Sequence, residues 1–190
     1  MTNLPATASI VIIGAGIVGC ATAYHLTRLG WRDVVVLEQG PLPKAGGSTS
    51  HAPGLVFQTN PSRTMTRFAQ ETVALYDALD LDGEPCWYGV GSIEVAASPE
   101  RWHDLKRKHG WAQSWGLEAA LLSPEEVREH VPLIDPARIL GGYYVPSDGA
   151  ANAVRASAAL TRAAEAGGAT FHARTQVTGI EVDGGAVRGV

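Results

Sequence analysis

Cysteine is nearly absent from this chain: Cys20 and Cys86 are the two in 190 residues. Two thiols with no C-x-x-C spacing supply neither a disulfide framework nor a zinc site, and no metal is expected. Cys20 reads as a small core residue of a helix. Basic residues are also in short supply, 15 Lys and Arg against 19 Asp and Glu, for a net charge of −4 and a pI near 5.8. Without a large basic field, nucleic acid and anionic membranes are poor candidate partners. No apolar run approaches the roughly 18 residues of a membrane helix. Met1–Ser9 lacks the basic start of a leader, so a cytoplasmic setting is expected. Charged residues make up 18% and hydrophobic residues 45%, which suits a packed core and excludes global disorder. No internal repeat or low-complexity tract is present.

What is abundant is glycine, and it is placed. Ile10-Val11-Ile12-Ile13 is wholly β-branched and reads as a strand buried on both faces. Gly14-Ala15-Gly16-Ile17-Val18-Gly19 follows, and fits G-x-G-x-x-G. Ile17 to Leu29 then carries helical spacing, with Gly30 suited to the C′ position. Val34-Val35-Val36-Leu37 reads as a second buried strand, and it ends in Glu38, 19 residues past Gly19. Strand, glycine turn, helix, strand and acid in about thirty residues form the pattern of a dinucleotide-binding βαβ unit. Gly14 serves the tight turn, Gly16 lets a pyrophosphate approach the backbone, and Gly19 lets helix and strand pack closely. Ile17 and Val18 open the helix whose N-terminus faces the phosphates. Glu38 is expected to accept hydrogen bonds from the adenosine ribose, with Gln39 beside it, and a carboxylate there disfavours NADP. The motif alone leaves NAD and FAD open.

Gly40 to Gly54 holds four glycines, three prolines, two serines and a threonine, the composition of a loop. A ligand running outward from Glu38 meets this loop, which favours the longer FAD. The stretch Gly46-Gly47-Ser48-Thr49-Ser50-His51-Ala52-Pro53-Gly54-Leu55-Val56 resembles the flavin loop of the dimethylglycine and sarcosine oxidase/dehydrogenase family, flavoenzymes of the D-amino-acid-oxidase superfamily. Phe57-Gln58-Thr59-Asn60-Pro61-Ser62, Leu105-Lys106-Arg107-Lys108, Leu122-Ser123-Pro124-Glu125 and Val145-Pro146-Ser147-Asp148-Gly149 are similar to the same family. The resemblance covers nearly the whole chain. It implies an α/β Rossmann-like, glutathione-reductase-like FAD-binding domain with part of an inserted α+β substrate domain. It further implies hydride transfer from an N-methyl carbon of a small amino acid to the flavin, with dimethylglycine favoured over sarcosine. His51 matches the histidine that carries the flavin covalently through its 8-methyl group. Gly47, Ser48, Thr49, Ser50 and Leu55 join the cofactor set, and the backbone around Val177 is implied at the adenine end. Substrate-binding and acid–base residues of the family lie later in the chain than Val190, as does the separate domain that would take a one-carbon unit to tetrahydrofolate.

The remaining elements follow from local signals. Asn60-Pro61 is expected to start a helix that buries Met65, Phe68, Ala69, Thr72, Val73, Tyr76 and Leu79. Tyr88 to Val95 reads as one strand, and Ser98-Pro99 opens a helix to about Gln113. On it, Arg101, Lys106, Arg107 and Lys108 read as a solvated face. Trp102, Trp111 and Trp115 read as packing, or less simply as a cage for a methylated ammonium. Ser123-Pro124-Glu125-Glu126 is a capping box. Ile139 to Val145 is a strand, Ala150 to Ala166 a helix closed by Gly167-Gly168, and Thr170 to Ala173 the third parallel strand. Gly179 to Val190 reads as a hairpin turning at Asp183-Gly184-Gly185, cut off in its return strand, which suggests a truncated chain. The expected division is a discontinuous FAD-binding domain, 1–58 and 147–190, around a partial substrate domain, 59–146. Two other readings stand beside the flavoenzyme. One is an NAD-linked dehydrogenase, in which His51 has no role. The other is a non-catalytic, truncated nucleotide-binding fragment.

Overall fold

The computed structural model describes residues 4–190. In chain order the elements are β1 (Ile10–Ile13), α1 (Ile17–Arg28), β2 (Val34–Leu37), α2 (Ser48–His51), β3 (Leu55–Val56), α3 (Arg63–Asp77), β4 (Asp80–Leu81), β5 (Glu84–Pro85), β6 (Trp87–Tyr88) and β7 (Ser92–Ala96). Then come α4 (Pro99–Trp115), β8 (Ala120–Leu122), α5 (Pro124–His130), a 3-10 turn at Pro136–Arg138, β9 (Gly141–Val145), β10 (Gly149–Ala151), α6 (Ala153–Ala166), β11 (Ala169–His172), β12 (Glu181–Asp183) and β13 (Ala186–Gly189). They sort into two compact units. The first comprises Met1–Pro53, Leu79–Cys86 and Asn152–Val190; the second comprises Gly54–Ala78 and Trp87–Ala151.

The first unit is built on a parallel sheet in the order β1-β2-β11. Ile10 pairs with Val34 and Val34 with Ala169, so β11 is the third parallel strand that the sequence pattern requires. Helices α1 and α6 pack on each other and against this sheet. β2, the central strand, is buried throughout. β1 departs from the expectation of burial on both faces: Ile10 and Ile12 are half-buried, while Val11 is 38% and Ile13 52% exposed. The reason is coverage. Val11, Ile13, Val35 and Leu37 share the face away from the helices, where Leu4, Ile180, Val187 and Val190 rim a trough of about 620 Å³ with no helix among its described walls. The β12–β13 hairpin turns on Gly184 and Gly185, both at positive φ, as its glycine pair predicts.

The second unit holds two antiparallel sheets, β3-β10-β6 and β7-β9-β8. α4 covers one face of the latter, burying Ala96, Leu105, Ala112, Leu117, Tyr143 and Val145 together. The capping box at Ser123 forms in full: Ser123 Oγ accepts Glu126 N–H and Glu126 Oε2 accepts Ser123 N–H at 2.7 Å. Three expectations are corrected here. α3 starts at Arg63, capped by Ser62, because Asn60 spends its side chain on an Asx turn to Ser62 N–H. Of the expected stripe, Ala69, Thr72, Val73, Tyr76 and Leu79 are half-buried and Met65 and Phe68 are exposed, while Thr66 is fully buried. The strand read over Tyr88 to Val95 is two strands in different sheets, separated at Gly89–Gly91, where Gly91 takes φ +76°. The tryptophans pack, as their simpler reading has it, and do not gather into a cage. Trp111 stacks on Trp115 with Arg107 over its ring, and Trp102 packs on the α4 core with Lys106 over it. In the first unit, α6 starts at Ala153 with Asn152 as its cap. Ala150 and Ala151, read as helix, instead belong with Gly149 to β10, between β3 and β6. Three of the four lysines and arginines of α4 are paired with acids: Lys108 Nζ meets Glu94 at 2.7 Å, Arg101 reaches Glu94 and Asp104, and Arg107 reaches Asp104.

Candidate functional site: a dinucleotide cleft in the first unit

Each glycine of the fingerprint has a distinct geometric task. Gly14 leaves β1 at φ +99°, and its N–H donates to Leu37 O at 2.8 Å. Gly16 is the N-cap of α1 in extended conformation, so the helix starts with its amides directed out of the turn. A Cβ on Gly19 would stand 1.9 Å from Gly14 O, a contact no side chain tolerates, so α1 is pressed against the turn it follows. Gly30 closes the helix at φ +97°. Cys20 is buried within this packing, Sγ 3.3 Å from Ala15 O, and burial pushes its thiol pKa up.

Glu38 ends β2 and is 6% exposed. Its Oε2 accepts Ala15 N–H at 2.8 Å and its Oε1 accepts Gly40 N–H at 2.7 Å. The carboxylate therefore ties the glycine turn to the loop after β2, with lone pairs left for further donors. Its backbone is tied as well: Thr175 N–H donates to Glu38 O at 2.8 Å, which fixes the segment carrying Val177.

Two hollows meet at Glu38 and Gln39. One, of about 190 Å³, is walled by Ala15 and Gly16, by the loop from Ala45 through Gly47 and Ser48 to Ser50, and by α6. The other, of about 180 Å³, lies between Ile13, Gly14 and Leu37 on one side and Thr175, Gln176 and Val177 on the other. Thr49 joins the walls of the first, its Oγ1 accepting Ile17 N–H at 3.0 Å. Because that hydroxyl accepts from the helix, its own hydrogen is directed elsewhere. The first hollow has one carboxylate and no lysine or arginine on its walls. An anion there is met by helix-start amides and hydroxyls alone. The residues thus fit a dinucleotide: a backbone cradle without a Cβ at Gly16, and an acid at the junction of two hollows.

The sequence-expected residues distribute unevenly over this geometry. Gly14, Gly16, Glu38, Gln39, Gly47, Ser48, Thr49, Ser50 and Val177 line one hollow or the other. Gly19 acts behind the turn, and Val18 is exposed on the outer side of α1. His51 ends α2, exposed and off the walls of both hollows. Its Nδ1 stands 3.0 Å from Gly47 O. Ser50 Oγ stands 3.3 Å from the same nitrogen; a carbonyl only accepts, so the tautomer that makes the Gly47 contact carries its hydrogen on Nδ1. Leu55 belongs to the second unit, exposed on β3. Sequence reasoning missed Pro43, Ala45, Val154 and Ser157, all on the walls of the first hollow. For the α6 pair a signal existed: Ser157 is the polar residue of an otherwise apolar buried stripe, Ala156, Ala159, Leu160 and Ala164. No three His, Cys, Asp or Glu side chains among the described residues gather as a metal site. No helix among them is long and apolar enough to cross a membrane.

Comparison with known proteins agrees with this geometry. Mouse mitochondrial sarcosine dehydrogenase is 36% identical over 94% of this chain and 20% of its own length. Human mitochondrial dimethylglycine dehydrogenase is 34% identical over 92% of the chain and 20% of its own length. The mouse mitochondrial pyruvate dehydrogenase phosphatase regulatory subunit is 34% identical over 97% of the chain and 22% of its own length. Among solved structures, L-proline dehydrogenase from P. horikoshii superposes with a TM-score of 0.87 at 26% identity, over 97% of this chain and 48% of that one. The chain thus spans about a fifth of the length of these curated relatives and about half of that structure. Residues 9–190 match the model of the FAD dependent oxidoreductase family, DAO, and the chain belongs to that family.

Proposed function

We propose that this chain is the FAD-holding part of an enzyme that oxidises the N-methyl C–N bond of a small amino acid, dimethylglycine in preference to sarcosine. The observation that carries the reading is the junction at Glu38, where two hollows of the first unit meet over the glycine turn. FAD, when bound, supplies the two-electron redox chemistry, accepting hydride from the substrate carbon. The chain's own residues bind and orient. α1 offers its first amides and Thr49 its hydroxyl to the pyrophosphate. Glu38 and Gln39 hold the ribose, and the Thr175–Val177 backbone faces the adenine. His51 is the covalent attachment point through Nε2, since Nδ1 is engaged with Gly47 O. Tetrahydrofolate, as a one-carbon acceptor, would belong to another part of the protein.

The substrate choice draws on the sarcosine and dimethylglycine dehydrogenase relatives and on the resemblance of the Gly46–Val56 loop. A cytoplasmic setting belongs to the same proposal; the mammalian relatives are named as mitochondrial, so cell fractionation decides it. The FAD in the family's description weighs against the nicotinamide reading. A non-catalytic role draws its support from the regulatory-subunit relative. Anaerobic mixing of the flavin-loaded full-length protein with dimethylglycine, sarcosine and glycine separates the two. Bleaching of the oxidised flavin, fastest with dimethylglycine, is the expected result. Full flavin loading with no bleaching by any N-methyl amino acid favours the regulatory role.

A further inference from the structure

The α6 wall of the first hollow lies outside the glycine fingerprint and outside the loop that follows β2. Ser157 stands on it and is 3% exposed, with Val154 one turn before it on the same face. Ser157 Oγ donates to Ala153 O at 2.9 Å, a carbonyl that α6 already uses for its own helical bond. A hydroxyl held only by such back-bonding is exchangeable, because turning it away leaves no backbone group without a partner.

Helix packing sets where Ser157 stands. α1 and α6 touch at Cys20 and Thr161, whose Sγ and Oγ1 are 3.3 Å apart. One turn earlier on each helix come Gly16 and Ser157, so Ser157 is level with the cap of α1, across the hollow from it. That is where a pyrophosphate lies against a glycine turn. No lysine or arginine lines this hollow, and the one carboxylate on its walls has both oxygens engaged by backbone amides. Donors to a doubly negative group must therefore be amides and hydroxyls. Four hydroxyls line the hollow: Ser48, Thr49 and Ser50 from the loop, where Thr49 accepts Ile17 N–H and Ser50 donates to Gly47 O, and Ser157 from α6 on the other side.

We propose that Ser157 is a ligand of the cofactor's pyrophosphate: its hydroxyl leaves Ala153 O and donates to a phosphate oxygen, making α6 a third binding element beside the glycine turn and the Gly47–Ser50 loop. This rests on the reading of the cleft as an FAD site. The test uses flavin-free protein in a His51→Ala background, where cofactor is extractable whether or not the wild type is covalently loaded. It is titrated with FAD by fluorescence and with ADP by calorimetry. Ser157→Ala removes one oxygen and places the best helix former in α6; Ser157→Cys keeps the volume with a weaker donor. Both should raise the dissociation constants of FAD and ADP about tenfold, the loss of one hydrogen bond to a charged group, with thermal midpoints unmoved. Unchanged constants in both variants, while the background binds FAD, overturn the Ser157 assignment alone. Weakened FAD with unchanged ADP also overturns it, placing the hydroxyl on the flavin side of the phosphates. A background that binds neither ligand overturns both this assignment and the FAD reading beneath it.

Discussion

Glu38 Oε2 accepts the N–H of Ala15 at 2.8 Å, joining the end of β2 to the glycine turn after β1. The same carboxylate accepts Gly40 N–H through its other oxygen. The residue expected to hold a ribose therefore also holds the cleft in shape. Glu38→Gln turns one acceptor into a donor that faces an amide N–H. Leaving that amide unsatisfied costs about 1–3 kcal/mol. We expect a lower urea midpoint in the absence of cofactor and, beyond it, weaker FAD binding. A variant with wild-type stability and a weaker FAD constant would assign Glu38 to the ligand alone.

Thr49 is predicted to act through its hydroxyl. Thr49→Val keeps the shape but removes the acceptor for Ile17 N–H and the donor to the hollow. Flavin titration should show binding weakened by about tenfold, the value of one hydrogen bond to a charged group. Thr49→Ser should recover most of it. Equal binding by the valine variant would remove Thr49 from the site.

Gly19 is predicted to be intolerant of even a methyl group. An alanine Cβ would lie 1.9 Å from Gly14 O, with backbone rather than a flexible side chain in the way. Gly19→Ala should destabilise the protein by about 3 kcal/mol, the upper end of overpacking costs, read as a shift in the denaturant midpoint. A midpoint within error of wild type would show that α1 can move off the turn freely.

Asp148 gives the clearest pH signature. It is 2% exposed, with Oδ1 accepting Gln58 N–H at 2.9 Å and Oδ2 accepting Ser92 Oγ–H at 2.7 Å. Burial pushes its pKa up, and those hydrogen bonds only partly offset it. The folded state therefore keeps a proton over a pH window where the unfolded chain has released it. Stability contributed by this group is full below the unfolded carboxylate pKa, near 4, and is lost as pH rises through the folded value. Asp148→Asn retains an acceptor for Gln58 and offers a donor to Ser92. It should fold and should flatten this part of the stability–pH curve, measured by urea unfolding at several values from pH 4 upward. An unaltered curve would mean that Asp148 is ionised at no cost.

The βαβ unit was legible because each of its demands falls on a single residue type: β-branched strands, glycines at Gly14 and Gly19, an acid at Glu38. The loop after it was legible through its resemblance to a flavin loop, and the structure lines the first hollow with Gly47–Ser50. Other features depended on distant partners. β1 has the composition of a strand buried on both faces, yet what covers a face is decided by chain far away in sequence, and Val11 and Ile13 stand exposed. Ala150 and Ala151 have helical propensity and yet stand in a strand, because β3 and β6 flank them. Ser157 looked like one more small residue in an alanine-rich helix. Only the packing of α6 on α1 brings it to the hollow.

The proposed flavin site runs from Ile10 to His51 and ends in a histidine proposed to carry the cofactor. The direct measurement is acid precipitation of the flavin-loaded protein, followed by washing, proteolysis and mass mapping of the peptide containing His51. A coloured pellet and a flavin mass on that peptide at His51 are expected, with all flavin extractable from the His51→Ala variant. An unmodified His51 peptide, with the flavin in the supernatant of a fully loaded protein, would contradict that attachment.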